Sequence, residues 1–279
     1  MLFFYDKVTG AASTGELDAS GDYVSLQDFP AGQFGRWTDI VPGGGELFFY
    51  SRETHLAGTG RLAADGDYVN LKDFPAGQFG DWTHIAANGV LVFFYDRNTR
   101  AAASGQLTAS GDYVNLRDFP AGQFGDWGHI VCAGGDLFPR FFFYSQGTGA
   151  AASGYLQDDG DYVNLKDFPA GQFGKWTHVT FDTGSSKLFF YNHETGAAGS
   201  GELDTDGNYV HLKSFPAGQF GSWRSIVSAR RKIFFYDQDF QGAASGELDD
   251  GGGYTNLKDF PAGRFGYWSN IVATQEGTP

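Results

Sequence analysis

The sequence predicts an all-β protein folded as a six-bladed β-propeller, with four antiparallel strands in each blade. Three observations lead to this prediction. A unit of about 45 residues, the length of a propeller blade, occurs six times. Each unit contains four short runs of strand-forming residues separated by turn signals. Glycine contributes 42 of the 279 residues, and together with a recurring Phe-Pro step it interrupts the chain too often for helices.

The tripeptide Phe-Phe-Tyr opens each unit, beginning at Phe3, Phe48, Phe93, Phe142, Phe189 and Phe234. A tryptophan follows 34 residues later in every unit, at Trp37, Trp82, Trp127, Trp176, Trp223 and Trp268. From each tryptophan to the next Phe-Phe-Tyr the separation varies between 11 and 15 residues. Insertions are therefore confined to one connection, which we expect to be an exposed loop. The repeats span the whole chain and predict a single domain, residues 1–279.

The four strands of the second unit are predicted at residues 47–50, 58–62, 68–72 and 82–86. The strand that begins at the tryptophan is predicted to be the first of its blade. Residues 268–272 then have to complete the blade that residues 2–27 begin. We therefore expect the two ends of the chain to pair and close the ring.

Composition and charge exclude several classes of function. The chain has 19 Lys and Arg against 33 Asp and Glu, a formal charge of −14, which disfavours a nucleic-acid partner. Its one cysteine, Cys132, excludes an intrachain disulfide. The first residues lack the basic start and apolar core of a secretory signal, and no stretch approaches the roughly 18 apolar residues of a membrane span. We expect a soluble protein without membrane insertion, cytoplasmic or secreted without a leader.

The succession of WTDIV, a glycine-rich turn, LFFYD, TG, G-x-L and YVNL resembles the FG-GAP-type and tachylectin-like lectin propellers. The resemblance covers essentially the whole chain at the level of the repeat and implies the propeller fold. FG-GAP propellers often carry calcium loops of the DxDxDG kind between their first and second strands, whereas this chain has PGGGE or ANGVL there. That calcium site is therefore not expected, and we predict no metal and no cofactor.

The most regular segment of the repeat joins the outer strand of one blade to the inner strand of the next. FPAG occurs in all six units and is followed by glutamine five times and by Arg264 once. Turn geometry explains the proline, glycines and phenylalanines, but not the glutamine or the aspartate beside a basic residue. We therefore predict ligand contacts in the groove between blades from Asp28, Gln33, Trp37, Lys72, Asp73, Gln78, Trp82, Arg117, Asp118, Gln123, Trp127, Lys166, Asp167, Gln172, Trp176, Lys213, Gln219, Trp223, Lys258, Asp259, Arg264 and Trp268.

These residue types suit a sugar, because an aromatic platform meets its apolar ring face while amides and carboxylates bind its hydroxyls. We predict a non-enzymatic lectin with up to six equivalent sites between blades and with glycans or glycoconjugates as partners. Six sites on one rigid ring would raise avidity on the order of 10²–10⁴. Monomer and dimer both remain open.

Two other functions remain open. A polar residue two positions after each tryptophan is predicted to line the central channel, at Asp39, His84, His129, His178, Ser225 and Asn270. With the insertion from Phe138 to Phe141, this ring could serve an enzyme that acts on a small molecule, although the sequence has no HExxH or GxSxG motif. The third function is a protein-interaction scaffold in which the repeats serve folding alone.

Overall fold

The structure is a computed structural model that describes residues 1–43, 45–133, 140–182, 185–229 and 231–274. Its 24 strands form six four-stranded antiparallel sheets, so the predicted all-β six-bladed propeller is confirmed. The described residues include no helix, and hence none that could span a membrane. The chain divides into two compact units, Met1–Phe124 with Tyr267–Pro279, and Gly125–Gly266.

The first unit contains three blades, whose strands are given from the inner to the outer edge. Blade 1 consists of β24 (Asn270–Ala273), β1 (Leu2–Asp6), β2 (Ala11–Leu17) and β3 (Tyr23–Phe29). Blade 2 consists of β4 (Asp39–Gly43), β5 (Glu46–Tyr50), β6 (Ala57–Leu62) and β7 (Tyr68–Phe74). Blade 3 consists of β8 (His84–Asn88), β9 (Leu91–Asp96), β10 (Ala101–Leu107) and β11 (Tyr113–Phe119).

The second unit contains the other three blades. Blade 4 consists of β12 (His129–Ala133), β13 (Arg140–Ser145), β14 (Ala150–Leu156) and β15 (Tyr162–Phe168). Blade 5 consists of β16 (His178–Phe181), β17 (Lys187–Asn192), β18 (Ala197–Leu203) and β19 (Tyr209–Phe215). Blade 6 consists of β20 (Ser225–Ala229), β21 (Lys232–Asp237), β22 (Gly242–Leu248) and β23 (Tyr254–Phe260).

Two predictions about the strands have different outcomes. The strand that follows the tryptophan is first in its blade, and β24 pairs with β1, as expected. However, this strand begins two residues later than predicted, since β8 starts at His84 and not at Trp82. The reason is that the backbone N–H of Trp82 donates to the Tyr50 hydroxyl at 3.4 Å and not to a neighbouring strand.

The Phe-Phe-Tyr strands are buried on both faces. Phe48 packs against Phe94 of blade 3, with 5.5 Å between ring centroids, while Phe49 packs against Phe3 of blade 1 at 6.0 Å. Both phenylalanines are at most 1% exposed. The Phe-Phe-Tyr strand β5 thus contributes to two successive inter-blade cores, which explains why its aromatic residues are consecutive and not alternate.

Neighbouring blades are also joined by buried hydroxyl groups. Thr59 donates to the carbonyl of Gly111 in the next blade, with 2.7 Å between the oxygens. The same bond joins Thr14 to Gly66, Ser153 to Gly207 and Ser200 to Gly252, at 2.7 to 2.8 Å. Blade packing is therefore fixed by directional bonds as well as by aromatic contacts.

Candidate ligand sites between the blades

The crossover between blades is held by the turn that follows the Phe-Phe-Tyr strand of the same blade. Gly32 donates its N–H to the Thr9 carbonyl at 2.8 Å, and Phe34 donates to the Gly10 carbonyl at 3.1 Å. Gly10 has a φ of 70°, and a Cβ there would clash with the Phe34 carbonyl oxygen. This turn and the crossover therefore lie at the same end of the blade.

In at least four blades, a hydrogen bond from the tryptophan N–H to a tyrosine hydroxyl fixes the position of the tryptophan. The Tyr50 hydroxyl donates to the Gly80 carbonyl at 2.6 Å and accepts from the Trp82 N–H. The same pair of bonds joins Tyr5 to Gly35 and Trp37, Tyr144 to Gly174 and Trp176, and Tyr191 to Gly221 and Trp223. Burial raises the pKa of the Tyr50 hydroxyl, so it stays a neutral donor. These tyrosines have no separate role in the sequence-based prediction, so their positioning role was missed.

Each tryptophan is half-buried and packs against the second phenylalanine of its own blade. The ring centroids are 5.7 to 6.0 Å apart, in the pairs Trp37–Phe49, Trp82–Phe94, Trp127–Phe143, Trp176–Phe190, Trp223–Phe235 and Trp268–Phe4. A methyl group added at Gly58 would lie 3.8 Å from Trp37 Cη2. A Cβ at this position of the third strand would therefore be in ordinary van der Waals contact with the indole.

The aspartate that lies beside a tryptophan comes from the same blade. A Cβ added at Gly58 would lie 3.6 Å from Asp73 Oδ1 and 3.8 Å from Trp37 Cη2. The carboxylate and the indole therefore flank the same glycine. Asp73 stands 36 residues after Trp37 and belongs to the outer strand β7. The structure thus brings Trp37 together with the aspartate of the following FPAG segment.

An asparagine that sequence reasoning missed links this aspartate to a tyrosine. Asn70 donates from Nδ2 to Asp73 at 3.4 Å and accepts at Oδ1 from the Tyr68 hydroxyl at 3.3 Å. The arrangement recurs in Tyr113–Asn115–Asp118, Tyr162–Asn164–Asp167 and Tyr254–Asn256–Asp259. In blade 5 the pair becomes His211 and Ser214, 3.0 Å apart. In the sequence, the asparagine and the aspartate are thus replaced together in blade 5, and this joint replacement could have indicated that the two side chains are in contact.

Lys72, the basic residue before Asp73, points to the opposite face of strand β7 from Asp73. Lys72 forms an ion pair with Asp112 of the next blade, with 2.8 Å between Nζ and Oδ1. The hydrogen bond from Lys72 is the main reason why the pKa of Asp112 is lowered. Because successive residues of a strand point to opposite faces, Lys72 and Asp73 do not share a groove. The predicted ligand set therefore separates into two faces of β7.

The side chains of the crossover glutamines are exposed and form no hydrogen bond within the described residues. The backbone N–H of Gln33 donates to the Pro30 carbonyl at 3.2 Å, which completes the turn. Within the described residues, no side-chain hydrogen bond is formed by Gln33, Gln78, Gln123, Gln172, Gln219 or Arg264. The next residue, Phe34, is buried and packs with its ring centroid 4.8 Å from that of Tyr68, in the cluster that Trp37 packs against.

A pocket of about 230 Å³ opens beside Trp37. It is lined by Lys7, Val8, Arg36, Trp37, Thr38 and Glu53. These residues come from the turn after β1, the end of the crossover and the turn after β5. The pocket therefore lies between blades 1 and 2, at the end of the blades where the crossover runs.

Most side chains of the predicted polar ring form hydrogen bonds or ion pairs with other residues of the protein. Asp39 forms a two-point ion pair with Arg52, and His84 Nδ1 lies 3.0 Å from the Thr83 hydroxyl. His178 Nε2 lies 2.9 Å from the Arg224 carbonyl oxygen, so this nitrogen carries the proton. Asn270 donates to the Thr38 carbonyl at 3.3 Å.

The predicted polar ring also includes His129 and Ser225. His129 packs against Tyr144, with 5.7 Å between ring centroids, and Ser225 is the first residue of β20. Among the described residues, no three His, Cys, Asp or Glu side chains are arranged to hold a metal ion. In the insertion from Phe138 to Phe141, residues 138 and 139 lie outside the described part.

Comparison with known proteins supports the fold alone. No family model and no curated protein matches the chain. Among solved structures, a proposed 6-phosphogluconolactonase from Bacteroides uniformis matches with a TM-score of 0.60 and 13% identity, over 96% of this chain and 82% of that chain. The periplasmic gluconolactonase of Pseudomonas aeruginosa gives 0.57 and 12%, over 97% and 98%. A chain of a nidogen–laminin complex gives 0.56 and 14%, over 97% of both chains.

Proposed function

We propose that the protein is a non-enzymatic carbohydrate-binding protein whose sites lie between neighbouring blades. One observation carries the proposal: in the first groove a half-buried tryptophan and an aspartate flank one glycine, and the tryptophan recurs in all six units while the exposed crossover glutamine recurs in five. In the first groove these residues are Trp37, Asp73 and Gln33. The recurrence of these residue types in successive units is typical of multivalent binding and not of one asymmetric catalytic pocket.

The chemistry of the set fits a hydroxyl-rich ligand with an apolar ring face. The accessible part of the indole of Trp37 offers a flat apolar surface. The Asp73 carboxylate accepts two hydroxyl hydrogen bonds or more, and the Gln33 amide both donates and accepts. Since Asn70 already binds Asp73, the carboxylate is oriented before a ligand arrives. Such preorganisation reduces the entropy cost of binding.

A glycan array followed by titration calorimetry tests the proposal. We expect binding with several sites per chain. The Gln33→Ala/Asp73→Ala variant should lower the number of sites by one without changing the affinity of the others. A matched control is Gln27→Ala/Asp65→Ala, which alters the same residue types where Gln27 reaches the Asp65 carbonyl of the next blade. Failure to bind any glycan, or a single site per wild-type chain, would contradict the proposal.

Hydrolysis of a sugar lactone is the second candidate function. It is favoured by the names of two structural neighbours, one a gluconolactonase and the other a proposed 6-phosphogluconolactonase. His178, whose pKa is lowered by burial, would be the residue to test in this chain. Release of acid from glucono-δ-lactone, followed against the uncatalysed rate, distinguishes the two functions. Acceleration that is lost in His178→Gln would favour the enzyme.

A further inference from the structure

The pocket beside Trp37 contains two cations whose side chains have no partner. Within the described residues, neither Lys7 nor Arg36 forms a side-chain hydrogen bond or an ion pair. Some other arginines of this acidic protein are paired, as Arg52 is with Asp39, and Arg224 with Asp239 at 2.6 Å. With 33 acidic residues in the chain, two adjacent unpaired cations form an unusual local positive charge.

The neighbouring groove, between blades 2 and 3, carries a different charge at the same position. The residue before the tryptophan is Arg36 in the first groove and Asp81 in the second. Asp81 is paired with His55, with 2.7 Å between Oδ1 and Nε2. The recurring residues are thus combined with charges that differ between the two grooves: the first has a cation where the second has an ion pair.

We propose that the pocket between blades 1 and 2 binds an acidic sugar, through its carboxylate, at Lys7 and Arg36. This inference rests on the proposed carbohydrate function and names the ligand class for the pocket at Trp37, whose lining residues do not include Asp73 or Gln33. The Arg36 guanidinium can bind a carboxylate through two parallel hydrogen bonds, and Lys7 adds a second positive charge. The sugar ring lies on the accessible edge of Trp37, and the Glu53 carboxylate accepts hydrogen bonds from its hydroxyls.

The net charge of the pocket supports this assignment. Lys7 and Arg36 against Glu53 leave one positive charge where the ligand binds. A pocket of about 230 Å³ accommodates a single sugar ring and not an extended chain, so the acidic unit is a terminal or side-chain residue of the glycan. An uncharged sugar of the same shape would leave both cations unpaired and bind less tightly.

The experiment compares matched pairs of sugars by titration calorimetry at low salt: D-glucuronate with D-glucose, and D-galacturonate with D-galactose. We expect the wild-type protein to bind one uronate at least tenfold more tightly than its neutral counterpart at one site. Arg36→Gln and Lys7→Gln should each weaken that site about tenfold or more. The control Arg61→Gln makes the same change of charge on β6 of blade 2, outside the pocket, and should have no effect.

Several results overturn the inference. If neutral sugars bind and the uronates bind no better, the acidic ligand is wrong while the proposed carbohydrate function stands. If Arg61→Gln weakens uronate binding as much as Arg36→Gln, the effect is one of overall charge and not of this pocket. If the wild-type protein binds nothing on the glycan array, the proposed function itself fails, and the inference fails with it.

Discussion

At the scale of single residues, the tyrosine of Phe-Phe-Tyr connects the core to the candidate site. Its ring is fully buried in the strand, while its hydroxyl holds a carbonyl and an N–H of the crossover. The position of the tryptophan therefore depends on an oxygen atom that belongs to a core residue. A Phe-Phe-Phe strand would satisfy the same hydrophobic pattern but would leave a carbonyl and an N–H of the crossover without this partner.

The variant Tyr50→Phe tests this role. Because the Gly80 carbonyl and the Trp82 N–H both lose their partner, we expect the free energy of unfolding to fall by about 1–3 kcal/mol. Sugar binding at the groove that contains Trp82 should weaken as well. Urea denaturation followed by tryptophan fluorescence measures the stability. The control Tyr267→Phe removes a hydroxyl from a residue that is 51% exposed, and it should leave stability unchanged.

His178 makes stability depend on pH. Burial is the main reason why the pKa of His178 is lowered, while the bond to the Arg224 carbonyl acts in the opposite direction. In the unfolded chain its imidazole titrates near the ordinary value of about 6.5. As the pH falls below this value, the unfolded chain binds a proton that the folded protein does not, so the free energy of unfolding decreases. Above it, this contribution is constant.

Melting temperatures at pH 7.5 and pH 5.0 check this expectation. The decrease on acidification should be smaller in His178→Gln than in the wild-type protein. His211 is exposed, so His211→Gln should keep the wild-type dependence. An equal decrease in all three proteins would show that other groups cause the acid sensitivity.

At the scale of elements, the sequence predicts the strands better than it predicts which side chains meet. Repeat spacing and turn residues determine the four strands of each blade, since both are local properties. The pairing of Trp37 with Asp73 is not local, because it depends on a blade face that contains Gly58. The opposite directions of Lys72 and Asp73 follow from β-sheet geometry, and sequence reasoning did not apply it to adjacent polar residues.

The turn after β9 shows how the same element tolerates a poorer residue. Arg100 occupies the position of Gly10 with a φ of 60°, a conformation that disfavours residues with a Cβ. Its carbonyl accepts from the Phe124 N–H at 3.4 Å, compared with 3.1 Å for Gly10 and Phe34. The Cβ of Arg100 therefore adds strain to the turn, although Gln241, with a φ of 55°, keeps the equivalent bond to the crossover at 3.1 Å.

We expect Arg100→Gly to stabilise the protein by roughly 1 kcal/mol, because glycine adopts this conformation without strain. Thermal unfolding at neutral pH measures the change. Arg97 lies in the same turn and has no positive φ. Arg97→Gly should therefore stabilise nothing, since glycine there only adds freedom to the unfolded chain. A gain that is equal in both variants would mean that lost positive charge, and not backbone strain, is responsible.

At the scale of the whole molecule, blade 1 is built from both ends of the chain. β24 pairs with β1 from Leu2 opposite Ala273 to Tyr5 opposite Asn270. The pairing continues beyond the strands, because the Thr274 N–H donates to the Met1 carbonyl at 2.9 Å. β8 and β9 pair in the same antiparallel way across the two-residue turn of Gly89 and Val90. Blade 1 therefore lacks only a covalent turn to be equivalent to the others.

A circular permutant tests this equivalence. Thr274 would be joined to Met1 through an Asn-Gly turn, which suits two antiparallel strands, and the chain would be opened within residues 134–139, between β12 and β13. Because every strand keeps its neighbours, we expect an unchanged far-UV circular dichroism spectrum and a melting temperature within about 5 °C of the wild type. Opening the chain between Ala103 and Ser104, inside β10, should instead prevent folding, since it divides a strand that is paired on both sides. The first permutant retains all 24 strands that the structure describes. If it nevertheless aggregates, the order in which the blades form, and not their pairing alone, determines whether the propeller closes.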